Sequence, residues 1–429
     1  MDEKKSIGLW SAISIGIGSM IGAGIFSIIG ISAQIAGNAM YISFIIAGCI
    51  ALLCTYSYGK LGSRYPSAGG PVEYLVKGFG DTTLSGGFNM LLWVGYIFAL
   101  SLYAKAFGGY AMTFFPSSAP PLLLNVLASS IILVFTGINF IGAKAVGKAE
   151  LIIVTVKLFI LMIFVVSGLF FIDPTRLSVS NFPHVSSVVY GAGIVFLAYE
   201  GFGLITNAAE DMKDPKKILP RALLISVIIT MIIYVLVSIT VLGNLPVQQI
   251  INAKDFALAA AAKPFLGNIG FTFIAIAALF STSSAINATL YGGANVSYTI
   301  ARHGELPEVF ERKIWGKSYE GLFITTGFVL VFVNVFNLDG IAMLGSASFL
   351  LIYAAVNLAH LKVHRDTGAH PFLIVASIIS CIVFLGVLVY YELNHSPFTL
   401  LVLILLIIGC FAFEIIYRKF GKRILKLRT

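Results

Sequence analysis

From Ile7 almost to Phe420 the chain alternates long, mostly apolar runs with short polar breaks. A helix crossing the hydrocarbon core needs roughly 20 such residues, so the pattern predicts about twelve membrane-spanning helices. Helices 1 to 5 are expected at residues 8–35, 40–61, 86–115, 121–142 and 147–172. Helices 6 to 10 follow at 186–212, 220–243, 269–301, 319–336 and 339–361, and helices 11 and 12 at 372–392 and 398–419. The breaks are too small to house a soluble domain, so residues 1–429 are expected to form a single membrane domain. A short amphipathic piece at Gly70 to Phe79 is placed on the inner surface before helix 3. The longest outer loop, Leu245 to Asn268, has room for helical turns of its own.

Composition agrees with this solvent. Hydrophobic residues make up 58% of the chain and charged residues 11%, and the mean hydropathy is +0.96, which leaves too little polar surface for a water-soluble fold of this size. The net charge of +9 is not a nucleic-acid signature, because it sorts by side. With the N-terminus placed in the cytoplasm, 23 of the 28 lysines and arginines fall on the inner face. The outer loops hold Arg176, Lys254 and Lys263, and Lys105 and Lys157 lie inside helices. This strong bias follows the positive-inside rule. It implies an even number of spans with both termini cytoplasmic, as in a multi-pass protein of the cell membrane. Cys49, Cys54, Cys381 and Cys410 all sit in apolar runs and read as small buried side chains, not as a disulfide framework or metal site. The first apolar run is longer than a signal-peptide core and is kept as a span.

Two spans are unusual. Helix 1 carries Gly16, Gly18, Gly22 and Gly24 at what should be mid-bilayer, and each glycine costs about 1 kcal/mol against alanine in a helix interior. Helix 6 carries Gly201-Phe202-Gly203, which echoes Gly22-Ala23-Gly24. An offset of five spans inverts one segment relative to the other. Paired, glycine-interrupted segments in two halves point to a transporter site built from discontinuous helices. The competing reading is that these glycines only let helices pack closely.

The stretch Gly18-Ser19-Met20-Ile21-Gly22-Ala23-Gly24-Ile25-Phe26 resembles the helix 1 signature of the amino acid, polyamine and organocation transporters. Tyr65-Pro66-Ser67-Ala68-Gly69-Gly70-Pro71 is similar to that family's inner loop before helix 3. Asp214-Pro215-Lys216-Lys217 with Pro220-Arg221-Ala222 is similar to its loop after helix 6, and Ala301-Arg302-His303-Gly304-Glu305-Leu306-Pro307 to its end of helix 8. The resemblance extends from helix 1 to about helix 12 and is strongest to proton-coupled amino acid transporters. It implies an all-α membrane protein with the LeuT-type arrangement. A first repeat of helices 1 to 5 (8–172) is followed by an inverted second repeat of helices 6 to 10 (186–361), with helices 1 and 6 broken. Helices 11 and 12 (372–419) lie behind. The implied function is secondary active transport of amino acids with protons as the coupling ion.

An unwound stretch frees backbone groups that in lipid must find partners, so it is tolerated where it lines a polar cavity. An amino acid supplies matching partners. Its carboxylate is expected at the N–H groups of Gly22, Ala23 and Gly24, where a half-helix presents its positive end. Its ammonium is expected at carbonyls near Met20, Ile21, Tyr199 and Glu200. With Phe196, Gly201, Phe202 and Gly203 these form the expected substrate-binding set. Recognition through backbone fits broad specificity. Phe26, Tyr103, Phe196, Tyr199 and Phe202 are candidates for a side-chain pocket or a thin gate, against the commoner role of packing.

Lys157 lies near the middle of helix 5 with no acidic residue within one turn. A lysine at that depth costs about 2.5 to 3.5 kcal/mol on insertion scales and marks a functional path by default. Snorkelling is a weak alternative, since about ten residues, or roughly 15 Å, separate it from the inner helix end. The resemblance implies that its ammonium occupies the place where sodium-driven relatives hold a sodium ion between helices 1 and 8. There it would face the carbonyls of Gly18 and Ile21, with Ala278, Ser281 and Thr282 supplied by helix 8. Withdrawal from water favours a neutral amine, so Lys157 is expected to bolt helix 5 to helix 1 when charged and to free it when neutral.

Glu200 is the second buried charge, and it departs from the family pattern, whose acidic residue commonly falls at the position of Gly203. Three roles stand level: receiving the basic end of a cationic substrate, pairing with Lys105 of helix 3, or carrying a proton. An amino acid or polyamine exchanger selective for cationic substrates is therefore the alternative within the fold. Asn139, Asn207, Asn287 and Asn295 are expected to bridge helices or cap half-helices. A channel would need a selectivity filter or a ring of charge, and neither is present in the sequence. An enzyme would need clustered catalytic groups, whereas the histidines at 184, 303, 360, 364, 370 and 395 are scattered. No cofactor and no metal are expected, and one copy suffices for the transport cycle. A non-transporting membrane sensor is the remaining reading from another class.

Overall fold

The computed structural model describes residues 7–141, 146–302, 304–314 and 318–420. Helix 1 spans Leu9–Ala36, helix 2 Met40–Arg64, helix 3 Thr83–Met112, helix 4 Leu122–Ile141 and helix 5 Val146–Leu169. Helix 6 begins as Val185–Val195, tightens to a 3-10 helix over Phe196–Gly203 and ends with the turn Leu204–Asn207. Helix 7 is Pro215–Asn244, helix 8 Ala257–Arg302, helix 9 Glu320–Val335, helix 10 Leu338–Lys362, helix 11 Pro371–His395 and helix 12 Pro397–Phe420. Among the described residues, nine helical stretches are long and apolar enough to cross a membrane, and three shorter apolar ones accompany them. The protein is an all-α, multi-span membrane protein, interrupted only by two-residue strands at Lys313–Ile314 and Ser318–Tyr319 among the described residues.

Local chemistry sets the ends. Helix 3 starts at a reciprocal cap in which Thr82 and Ser85 each accept from the other's backbone N–H, satisfying donors that have no partner inside the helix. The Asn337 side chain accepts from Gly340 N at 2.9 Å and starts helix 10. The amphipathic piece before helix 3 is a helix, Pro71–Phe79, entered through Gly70 at φ +48°. Helix 8 starts earlier than expected, because Ala257 to Leu266 is already helical and the chain kinks at Gly267 with φ +64°. The expected outer loop therefore holds Val247–Asn252, the turn Lys254–Phe256 and the front of helix 8.

The surface is apolar where a soluble protein's would be polar. Phe159, Val331, Ile382 and Leu405 are all more than half exposed, a sheath suited to lipid. Polar side chains turn inward: Asn139 donates to Asn287 Oδ1 at 2.8 Å, joining helices 4 and 8, and Trp93 donates to Thr325 at 3.0 Å, joining helices 3 and 9. Cys54, Cys381 and Cys410 are buried as expected, but Cys49 is exposed, and all four are free thiols.

Both ends of the described chain lie at one face. Ile7 pairs with the segment after helix 6 through Asp211 and Lys213, Arg418 bonds Asp81 before helix 3, and Lys60 reaches Gly368 after helix 10. Helix 1 packs on helices 6, 7 and 8, helix 2 on helix 7, and helix 3 on helix 8.

Helix 1 departs from expectation. It is one continuous α-helix from Leu9 to Ala36, with no interruption at Gly22 to Gly24. Each unsatisfied backbone group in hydrocarbon costs several kcal/mol, whereas a glycine costs only about 1 kcal/mol, so the bonded helix wins. The glycines serve close approach: a Cβ at Gly16 would lie 2.4 Å from Ile205, at Gly22 2.7 Å from Ala285, and at Gly24 2.9 Å from Ala198. Helix 6 is interrupted as expected, in the form of 3-10 turns between two α-helical pieces.

Candidate functional site

Helices 1 and 6 touch through backbone. A Cβ on Gly201 would come within 2.8 Å of Met20 N and of the Ser19 carbonyl carbon, so only glycine allows this contact. Ser19 spans it, with its hydroxyl 2.9 Å from Gly16 O and 2.8 Å from Gly201 O. Around this contact, side-chain donors converge on main-chain carbonyls at a depth where water is scarce. Lys157 donates to Gly18 O at 2.8 Å. Ser281 faces both Ile21 O and Gly22 O. Tyr234 of helix 7 lies 2.5 Å from Met20 O and 3.1 Å from Ala198 O. Tyr353 of helix 10 donates to Glu200 O at 2.8 Å, and Thr206 to Gly203 O at 2.6 Å. The hydroxyls of Ser19 and Tyr234 thus each serve carbonyls from both glycine-bearing helices.

The charged residues are fully enclosed. Lys157 is 2% exposed and Glu200 1%. Glu200 Oε1 accepts from Tyr103 OH at 3.1 Å. Lys105, pairing with which was one of the three roles expected for Glu200, instead donates to Asn125 Oδ1 at 2.6 Å, so the structure does not join Glu200 to Lys105. Of the helix 8 hydroxyls, Ser281 reaches helix 1. Thr282 turns back on its own helix, to Ala278 O at 2.7 Å.

Aromatic layers close the region on both sides. Toward the face that holds the chain ends, Phe202 stacks on Tyr353 at 4.9 Å, and Tyr58 meets Phe202 at 5.4 Å and Tyr74 at 5.9 Å. Phe196 packs edge-on against Tyr353 at 5.5 Å. Toward the opposite face, Phe26 packs edge-on against Tyr110 at 6.1 Å, whose hydroxyl donates to Phe26 O at 3.3 Å. Beyond it the turn Lys254–Phe256 lies on helix 1, where a Cβ on Gly30 would meet Lys254 O, and Lys254 is ion-paired with Asp339 of helix 10. Tyr199 packs edge-on against Tyr234 at 5.2 Å and donates to Phe44 O at 2.9 Å.

The N–H groups of Gly22, Ala23 and Gly24, expected to face a carboxylate, lie within the continuous helix 1. The structure adds Tyr234, Tyr353 and Tyr58 to the site. Each is a tyrosine inside an otherwise apolar run, and its polar tip needs a partner at that depth; that was the available signal. Among the described residues no group of three metal-ligating side chains occurs. His360 instead pairs with Thr367 at 2.9 Å.

The structure is a bundle of membrane spans, and the sequence comparisons say to which class it belongs. The profile of the amino acid permease family matches residues 7–413, and the chain belongs to that family. It is 45% identical over 422 residues to an uncharacterised protein of Methanocaldococcus jannaschii, covering 98% of this chain and 97% of that one. It is 34% identical to the inner membrane transport protein YbaT of Escherichia coli, covering 89% of each. It is 25% identical to the branched-chain amino acid permease BcaP of Bacillus subtilis, over 65% of this chain and 63% of that one.

Proposed function

We propose that the chain is a secondary active transporter of amino acids, driven by protons and working by alternating access with broad specificity. The buried ammonium of Lys157 on the Gly18 carbonyl carries this reading. A fixed cation at the helix 1 backbone does the work of a bound metal cation in joining helices 5 and 1, and unlike a metal it alternates between charged and neutral by proton transfer. When charged it holds the helices together. When neutral it releases helix 1, and the site changes the side to which it opens.

The substrate site in this reading lies between Met20 to Gly24 of helix 1 and Ala198 to Gly203 of helix 6. The carbonyls of Met20 and Ala198 suit an ammonium, which brings three donors where Tyr234 brings one. The carboxylate takes the N–H groups of Gly22, Ala23 and Gly24 as helix 1 opens locally, a step that its glycines make less costly. Phe202 and Tyr353 on one side and Phe26 and Tyr110 on the other act as thin gates. The contacts of helix 1 with 6, 2 with 7 and 3 with 8, each pair five spans apart, support two inverted repeats of five helices. The lysine and arginine bias supports a cytoplasmic position for the face that holds the termini.

The test is uptake of radiolabelled neutral and cationic amino acids into proteoliposomes under an imposed pH gradient, with and without sodium. Concentrative uptake that follows the pH gradient and ignores sodium is expected. Uptake that needs sodium and ignores the pH gradient contradicts proton coupling.

A further inference from the structure

At the face that holds both chain ends, a cleft of about 530 Å³ lies between helix 2, helix 7 and the turn His364–Thr367 that follows helix 10. Helices 2 and 7 touch beside it, since a Cβ on Gly59 would lie 3.2 Å from Pro220 Cα. The cleft runs along helix 2 from Leu52 to Arg64, about 18 Å at the helical rise. Its two ends differ in chemistry. One wall is apolar, with Leu52 and with Leu224, which is 48% exposed and continuous with the lipid-facing sheath. The mouth carries Lys60, Arg64 and Lys216 against the single carboxylate of Asp366.

These cations are not spent on carboxylates. Among the described residues none of the three forms an ion pair within 4.0 Å. Lys60 donates to Gly368 O at 3.3 Å, Arg64 sits 5.8 Å from the centre of the Tyr65 ring, and Asp366 accepts from Tyr65 OH at 3.5 Å. Lys217, the neighbour of Lys216, takes Asp214 instead.

We infer that this cleft binds an anionic phospholipid, with its phosphate among Lys60, Arg64 and Lys216 and an acyl chain along Leu52 and Leu224. Basic pockets between spanning helices at one membrane face suit anionic headgroups. The apolar wall selects a lipid over free phosphate, which has no use for it. The bound headgroup ties helices 2 and 7 to the segment after helix 10. This assignment is independent of the substrate and of the coupling ion.

Native mass spectrometry of the full chain in detergent tests it, with phosphatidylglycerol and phosphatidylcholine of matched chains as probes. Phosphatidylglycerol should bind the wild type in preference to phosphatidylcholine. At the scale of one cation near an anionic surface, each removed charge should weaken it about five-fold, so Lys60→Gln/Arg64→Gln/Lys216→Gln should lose roughly a hundred-fold. Asp366→Asn should bind more tightly. Excess inorganic phosphate should leave the lipid adduct in place. Equal binding of the two lipids, unchanged affinity in the triple variant, or displacement by phosphate would each overturn the proposal. Should the triple variant misfold, the exposed single variants Arg64→Gln and Lys216→Gln carry the same five-fold expectation, and unchanged binding in both overturns it.

Discussion

The ammonium of Lys157 lies 2.8 Å from the carbonyl oxygen of Gly18, a bond between two spans whose partners are 139 residues apart in the chain. Ser281 reaches the next part of the same helix from helix 8, at Ile21 O and Gly22 O. Helix 1 is thereby held on two sides by side-chain donors rather than by apolar packing alone. Buried donors of this kind are costly to leave unpaired, so breaking one contact should shift helix 1 rather than leave a gap.

Tyr234→Phe should separate binding from folding. The variant keeps the ring against Phe44 and Tyr199 but removes the hydroxyl shared by Met20 O and Ala198 O. A membrane hydrogen bond is worth about 0.6 kcal/mol on average, so thermal stability should barely fall. Substrate affinity, measured by scintillation proximity, should change by about ten-fold if those carbonyls take the ammonium, at 1.4 kcal/mol per decade. Unchanged affinity would place the ammonium elsewhere.

Two glycines two residues apart should behave oppositely. Gly201→Ala drives a Cβ to 2.8 Å from the helix 1 backbone, whereas Gly203→Ala meets nothing nearer than Tyr353 OH at 3.5 Å. The first should abolish uptake or lower the melting temperature by several degrees, since overpacking costs about 1 to 3 kcal/mol. The second should transport nearly normally. Uptake assays on matched amounts of purified protein distinguish them, and equal behaviour would deny the backbone contact.

Glu200→Gln retains an acceptor for Tyr103 and removes the charge. If Glu200 receives a cationic side chain, competition by lysine and arginine should weaken at least ten-fold relative to neutral amino acids, since a buried charge pair that loses one partner is heavily penalised. An unchanged order of competition would assign Glu200 to the proton or to structure.

The ion pair of Lys254 with Asp339 joins the turn lying on helix 1 to helix 10. Both side chains are about one third exposed, so the pair should add little to global stability. Asp339→Asn should instead speed deuterium labelling of the backbone amides of the turn Lys254–Phe256. The exchanged pair Lys254→Asp/Asp339→Lys should restore slow labelling. Labelling at the wild-type rate in Asp339→Asn would show that the pair does not hold the turn in place.

Much of this was legible in the sequence because lipid imposes long apolar runs and penalises buried charge. The spans followed from the first constraint, and Lys157 and Glu200 from the second. Helix 6 read correctly, since Gly201-Phe202-Gly203 both loosens the helix and meets helix 1. Helix 1 did not, because a glycine cluster signals close packing and unwinding alike, and only the neighbours at Ala285, Ala198 and Ser226 decide between them. Tyr234 and Tyr353 were hidden for the opposite reason: an aromatic in an apolar run has no periodic signature, and its role depends on which carbonyl another helix brings to its hydroxyl. Glu200 and Lys105 both lie inside predicted spans, which made them candidate partners, but Asn125 takes the lysine.

The central claim is that Lys157 carries the coupling charge. Its most direct test is substrate-driven proton movement in proteoliposomes loaded with a pH-sensitive dye, comparing wild type with Lys157→Ala. Wild type should acidify the lumen when substrate is added and should concentrate substrate when a pH gradient is imposed. Lys157→Ala should bind substrate yet show neither proton movement nor pH-driven accumulation. Substrate-dependent acidification at the wild-type rate in Lys157→Ala would contradict the account.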